Sequence, residues 1–152
     1  MSLREKLKSM GIDLPSVSGP FGSYVPAKRV GNLIYVAGQL PMKDGQLMAT
    51  GPVPSRCSQE LATVAAKQCV VNALAAVNAL EGGIEQIRGV ARVGAFVCSD
   101  DDFTAQPQVA NGASDFLLEL FGEAGKHARA AVGVNVLPRN GSVEIEIIFE
   151  AA

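Results

Sequence analysis

Tryptophan is absent from the sequence, histidine occurs once, and three cysteines are spread along 152 residues. Each shortage narrows the possible functions. A single histidine, His127, leaves a Ser-His-Asp or two-histidine ribonuclease arrangement very little to work with, and beside a loop it reads as a surface residue. Cys57, Cys69 and Cys98 form no C-x-x-C pair and are odd in number, which fits buried thiols in a cytoplasmic chain. They fall on an expected helix face and strand, not in the setting of a thiol nucleophile. The net charge is only -2 and the basic residues are scattered, so the basic stripe of a nucleic-acid binder is missing. No apolar run approaches the roughly 20 residues of a membrane span, and MSLREKLKSMG lacks the apolar stretch of a signal peptide. The glycines spell neither G-x-G-x-x-G nor a phosphate loop. Asp100, Asp101 and Asp102 lack the spacing of a calcium loop and read as a solvated cap. No metal and no cofactor is implied.

What the sequence does have is apolar residues, 48% of the total, enough for a core without disulfide or metal support. With few aromatics, Val, Ile, Leu and Ala must fill it. The length suits one domain over 1–152, with 1–20 as an N-terminal helix and connector. Ser2 and Glu5 have capping-box spacing, and Leu3, Leu7 and Met10 then share a helical face before Gly11. Residues 15–22, rich in Pro, Gly and Ser, read as the connector. Strands are expected near 24–30 and 33–37 with Gly31-Asn32 as their turn, followed by mostly loop over 41–56. Ser58 caps a long helix with the stripe Ala66, Cys69, Val70, Ala73, Val77 and Leu80, ended by Gly82-Gly83. A β-branched strand covers 87–98, and a helix marked by Val109, Ala113, Phe116, Leu117, Leu120 and Phe121 closes near Gly122 to Gly125. The chain is expected to end in a hairpin of strands 130–137 and 143–149, turned at Asn140-Gly141.

The order helix, β, β, α, β, α, β, β predicts an α+β fold, a mixed sheet with two helices packed on one face. On the last strand Val143, Ile145, Ile147 and Phe149 share one side and Glu144, Glu146, Ile148 and Glu150 the other. On the strand before it, the face of Ala131, Gly133, Asn135 and Leu137 is too apolar for open solvent, and it suits an oligomer interface.

Two blocks of sequence carry a resemblance. HARAAVGVNVLPRNGSVEIEI, with its arginine at a strand start, Leu-Pro turn and Glu-Ile pair, resembles the C-terminal signature of the reactive intermediate deaminase (Rid/YjgF) family, also labelled endoribonuclease L-PSP. YVPAKRVGNLIYVAGQLP resembles the family's other block, and the match covers about residues 20 to 151. It implies a chorismate-mutase-like mixed sheet and a homotrimer with its sheets inward and its sites in clefts between neighbours. It also implies hydrolysis of enamine/imine intermediates such as 2-aminoacrylate to 2-oxo acids and ammonia. By position, Arg129 would bind the substrate carboxylate and Glu144 would handle the reacting water. Tyr24, Asn111 and Ala131 would line the pocket, and Gly38 would offer a backbone N–H. Three residues depart from the pattern: Ala37 stands for a usual serine, Ala131 for a common cysteine, and His127 for a usual proline. The N-terminal helix and the Gln-Pro-containing loop before the third helix place the chain in a divergent subgroup.

The chemistry matches the scarcity of catalytic residues. A guanidinium fixes a carboxylate through two parallel hydrogen bonds, and an imine carbon is electrophilic enough to need only a placed water and proton transfers. Within the expected hairpin, Arg129 and Glu144 would lie roughly 20–26 Å apart, so one substrate could meet both only across subunits. Two other readings remain: an endoribonuclease or translation inhibitor, and a non-catalytic small-ligand-binding or chaperone-like module using the same cleft.

Overall fold

In a computed structural model that describes residues 1–17, 19 and 21–152, the longest strand takes an interior place in the five-stranded sheet. That strand, β5 (Ile87–Cys98), has a neighbour on each side, which satisfies its backbone groups on both edges. The others are β1 (Ala27–Val30), β2 (Leu33–Gln39), β6 (Ala128–Val134) and β7 (Val143–Ala151), in the spatial order β1-β2-β7-β5-β6. Helices α2 (Gln59–Asn78) and α3 (Gln106–Phe121) pack on one face, α2 over β2 and β7, α3 over β5 and β6. The expected mixed sheet with two helices on one face is therefore present.

The expected terminal hairpin is not. β6 runs parallel to β5 and β7 antiparallel to it, so β5 separates the two strands assigned to that hairpin. A parallel pair needs a crossover, and α3 supplies it between β5 and β6. The connection after β6 then crosses the end of β5. It carries a short 3-10 turn at Pro138–Asn140, with Arg139 and Asn140 both left-handed and Gly141 extended. The Asn-Gly pair therefore does not form the tight turn expected of it.

Smaller boundaries follow local chemistry. α1 (Leu3–Ser9) has the full capping box: Ser2 Oγ accepts from the Glu5 amide while the Glu5 carboxylate accepts from the Ser2 amide. Leu7 is buried, and Leu3 and Met10 pack against the core. The first strand starts at Ala27, not near Tyr24, because Pro26 has no N–H to give a ladder; its carbonyl instead accepts from the Ala37 amide. Within 41–56, expected as loop, β3 (Met42–Lys43) and β4 (Gln46–Leu47) form a small hairpin. Its Asp44-Gly45 turn has both residues at positive φ. Of the expected connector 15–22, Ser18 and Pro20 lie outside the described residues.

Ser58 caps α2 by accepting from the Leu61 amide, and residues 69 to 77 are buried without interruption. In length and mean hydropathy α2 reaches what a membrane span requires, contrary to the expectation from uninterrupted apolar runs. Two thirds of that stretch is buried inside the fold, as befits a core helix. The α2–α3 crossing depends on Gly112, where a Cβ would overlap the Thr63 carbonyl oxygen.

Candidate functional site

Arg129 is the second residue of β6 and pairs in register with Val93, whose side chain is in the core. Its guanidinium therefore emerges on the helix-covered side, against α3. Nη1 donates to Asn111 Oδ1 at 2.8 Å and to Ser114 Oγ at 3.2 Å. These acceptors sit three residues apart, so both face the strand from one side of α3. Both are neutral. Among the described residues the ion pairs join Arg92 to Glu146 at 3.1 Å and Lys126 to Glu123 at 3.0 Å, so Arg129 has no carboxylate partner. A guanidinium placed by neutral acceptors keeps its charge for an incoming anion. It opens into a depression of about 380 Å³ lined also by Asn111, Ser114, Asp115, Leu118, Lys126 and His127.

His127 is joined to this group. Its Nε2 lies 2.9 Å from Ser114 Oγ and its Nδ1 2.6 Å from the Gly125 carbonyl oxygen. The surface role expected of it is thus corrected: the ring is half-buried, with both nitrogens engaged. Ala131 follows Arg129 on the same side, half-buried against the core, and a Cβ at Gly133 would meet Gln106 Nε2 at 2.8 Å. The face of Ala131 and Gly133 is therefore turned toward α3, not free as an interface. The residues that β6 leaves exposed on the other face include Val132.

Glu144 occupies the opposite, helix-free face. It pairs in register with Phe96, three residues along β5 from Val93, and the odd spacing puts it across the sheet from Arg129. Three residues of strand and two interstrand steps put the Cα atoms roughly 14 Å apart. The expected 20–26 Å came from a hairpin that does not form; the sheet itself is what separates the two side chains. Partial burial pushes the Glu144 carboxyl above its ordinary value of 4.5, and the nearby Glu146 adds to this.

Gly38 lies beside Glu144 for a steric reason. Between Val36, opposite Ile147, and Gln39, opposite Ile145, β2 spends two residues where β7 spends one, a bulge at Ala37-Gly38. A Cβ at Gly38 would stand 2.8 Å from Glu144 Oε2, so the absent side chain is the space the carboxylate occupies. Asn72, a buried polar residue of α2, ties down the chain just beyond: its Nδ2 donates to the carbonyls of Leu40 and Met42 at 3.0 and 2.9 Å. Tyr24 is 61% exposed in the loop before β1, its ring tilted against Phe21 at 5.8 Å.

The chain thus brings Arg129, Asn111 and Ala131 together on one face and Glu144 with Gly38 on the other. Sequence reasoning missed Ser114 and Asn72. Ser114 had a faint signal, standing one helical turn beyond Asn111; Asn72 had none, since its partners lie 30 and 32 residues away. Asp100, expected as a solvated cap, instead pins a loop, because its carboxylate accepts from the Ser55 amide and hydroxyl at 2.8 and 2.7 Å. The three cysteines are free and buried, and burial pushes the Cys69 thiol well up, away from nucleophilic use.

A mixed sheet carrying two helices on one face, with Arg129 at the covered edge and Glu144 on the bare face, defines a small α+β protein of the chorismate-mutase-like kind. The chain belongs to the YjgF family: its residues 4–151 match the family model described as "YjgF/chorismate_mutase-like, putative endoribonuclease". It is similar to Protein TCP17 of Trypanosoma cruzi, at 37% identity over 95% of this chain and 91% of that one. It is also similar to a 2-iminobutanoate/2-iminopropanoate deaminase of Dermatophagoides farinae, at 33% identity over 90% and 92%. Among solved structures it resembles the protein Atu1372 of Agrobacterium tumefaciens, of unknown function, with a TM-score of 0.88 and 44% identity over 99% and 92%.

Proposed function

We propose that this protein hydrolyses enamine and imine intermediates of 2-amino acids to 2-oxo acids and ammonia, at sites shared between subunits of a homotrimer in the cytoplasm. The observation that carries the reading is Arg129. Its guanidinium is held by neutral acceptors, without a carboxylate partner, in a depression of about 380 Å³. An imino acid brings the missing carboxylate. Family membership and the deaminase relative support the same reaction class.

Water adds to the imine carbon, the tetrahedral amino alcohol loses ammonia, and the carbonyl forms, so no electrons and no cofactor are exchanged. Glu144 suits the proton transfers, because a carboxyl whose pKa is raised by burial leaves a carboxylate that is a stronger base than an ordinary glutamate's. Arg129 and Glu144 face opposite sides of one sheet, so a single substrate meets both only if a neighbouring subunit's bare face closes over Arg129. Tyr24 and Gly38 would then arrive with that neighbour's Glu144. The bare face carries Tyr35, Phe96, Ile148 and Val132, apolar enough to be covered by another copy.

Ribonuclease chemistry has less support. The lone histidine has both ring nitrogens engaged, leaving neither free to serve a phosphodiester. The binding-only reading is separated by turnover. Ammonia release from an imine generated in situ should be accelerated by the wild-type protein and lost in Arg129→Ala. Equal rates for the two would remove the assignment.

A further inference from the structure

We infer that Ser114 and His127 are positioning residues for Arg129, forming with the Gly125 carbonyl a one-way hydrogen-bond chain that presents one edge of the guanidinium to a carboxylate. The inference rests on Arg129 as the carboxylate anchor and adds how that anchor is aimed.

The direction of every link follows from what each atom can do. The Gly125 carbonyl only accepts, so His127 Nδ1, 2.6 Å away, carries the proton. In the neutral ring Nε2 is then bare, and Ser114 must donate its hydroxyl hydrogen across the 2.9 Å contact. That leaves Ser114 Oγ with lone pairs to accept from Arg129 Nη1, and Asn111 Oδ1 takes the other Nη1 hydrogen. Both hydrogens of Nη1 are thereby used. The remaining donors, Nε–H and one Nη2–H, are parallel and point the same way, the side-on fork that binds a carboxylate twice. Two acceptors on one nitrogen also fix the plane of the group, whereas one would leave it free to swing.

His127 matters because a serine within a helix has a competing option. Ser114 could turn its hydroxyl back to the carbonyl one helical turn earlier, away from Arg129. The bare Nε2 holds it in the outward rotamer, and successive donor links polarise one another, strengthening the acceptor that faces the cation. Ser114 is only 7% exposed, so the chain is shielded from competing water.

Since His127 is the sole histidine, its ring nitrogens can be read without assignment in a long-range ¹H–¹⁵N spectrum at alkaline pH. The expected form is the Nδ1–H tautomer; an Nε2–H tautomer would overturn the chain, because Ser114 could not then donate. Affinity for 2-oxobutanoate, measured by calorimetry, supplies the functional arm. Ser114→Ala and His127→Leu should each weaken it roughly 3- to 10-fold, the worth of one lost hydrogen bond. His127→Gln, whose Oε1 can replace the bare Nε2, should restore it to within about twofold. Lowered melting temperatures with unchanged affinity would make the chain merely structural and overturn the proposal. Should His127→Leu fail to fold, Ser114→Ala, His127→Gln and the tautomer still decide. If Arg129→Ala also binds 2-oxobutanoate normally, the anchor reading itself fails. If Arg129→Ala abolishes binding while the other variants bind normally, only the aiming chain fails.

Discussion

The two faces of the sheet handle charge in opposite ways. On the helix-covered face, Arg129 is held by donated hydrogen bonds to Asn111 and Ser114, an arrangement that leaves its charge uncancelled but its geometry fixed. On the bare face, Glu144 has no such support among the described residues; burial and the neighbouring Glu146 push its proton affinity up. One face aims a cation, and the other unsettles an anion. A carboxylate-bearing electrophile needs the first to be held and the second to react, so the contrast itself argues that the site joins the two faces.

The contrast should break most severely at the covered face. Gly112→Ala is expected to cost on the order of 3 kcal/mol or more, because the new Cβ meets the Thr63 backbone and α2 and α3 must separate. Val132→Asp, on the bare face where Val132 is 45% exposed, should leave the chain folded and instead dissociate the assembly. Urea unfolding for the first and light scattering for the second tell the faces apart. A mild effect of Gly112→Ala, or an intact trimer built wholly of Val132→Asp chains, would mean the faces do not differ in this way.

Next in size comes the geometry of the cation. Arg129→Lys keeps the charge but loses the fork, and imine hydrolysis is expected to fall about 100-fold, roughly 3 kcal/mol. A lysine variant of near wild-type rate would show that charge alone suffices. Gly38→Ala sharpens the other side. Its Cβ would stand 2.8 Å from Glu144 Oε2 and must displace the carboxylate, for an expected loss of about tenfold in turnover with the melting temperature nearly unchanged.

The smallest effect is a trade between stability and activity at Glu144. A carboxyl whose native pKa is raised binds its proton more tightly when folded. Its contribution is therefore favourable below the ordinary value of 4.5 and is lost as pH rises through the higher native value. Glu144→Gln should melt slightly higher than wild type at neutral pH, with the gain vanishing below about pH 4, and should hydrolyse imines poorly. A stability gain that persists unchanged into acid would remove titration as its cause.

Much of this was legible in the sequence where the signal is local. The capping box at Ser2 and Glu5, the Ser58 cap and the bounds of β5 follow from neighbours within a turn or from a stretch rich in β-branched residues. The terminal hairpin was not, because a short connection between two strands does not reveal that a third strand lies between them. β5 wins that place by satisfying two edges at once, a competition decided by the whole sheet. At the site, Arg129 and Glu144 carried a pattern, whereas the chain through Ser114 and His127 depends on side chains 13 and 15 residues apart that meet only after α3 packs on β6.

The claim that one substrate uses both faces is tested most directly by mixing two inactive proteins. Arg129→Ala and Glu144→Ala chains, unfolded together in equal amounts and refolded, should form mixed trimers in which some clefts pair an intact arginine from one chain with an intact glutamate from the next. Random assembly around a threefold ring makes about one cleft in four complete, so the mixture should recover roughly a quarter of the wild-type rate. Each parent refolded alone should stay inactive. No recovery in trimers shown by mass spectrometry to be mixed would contradict a site built from two chains.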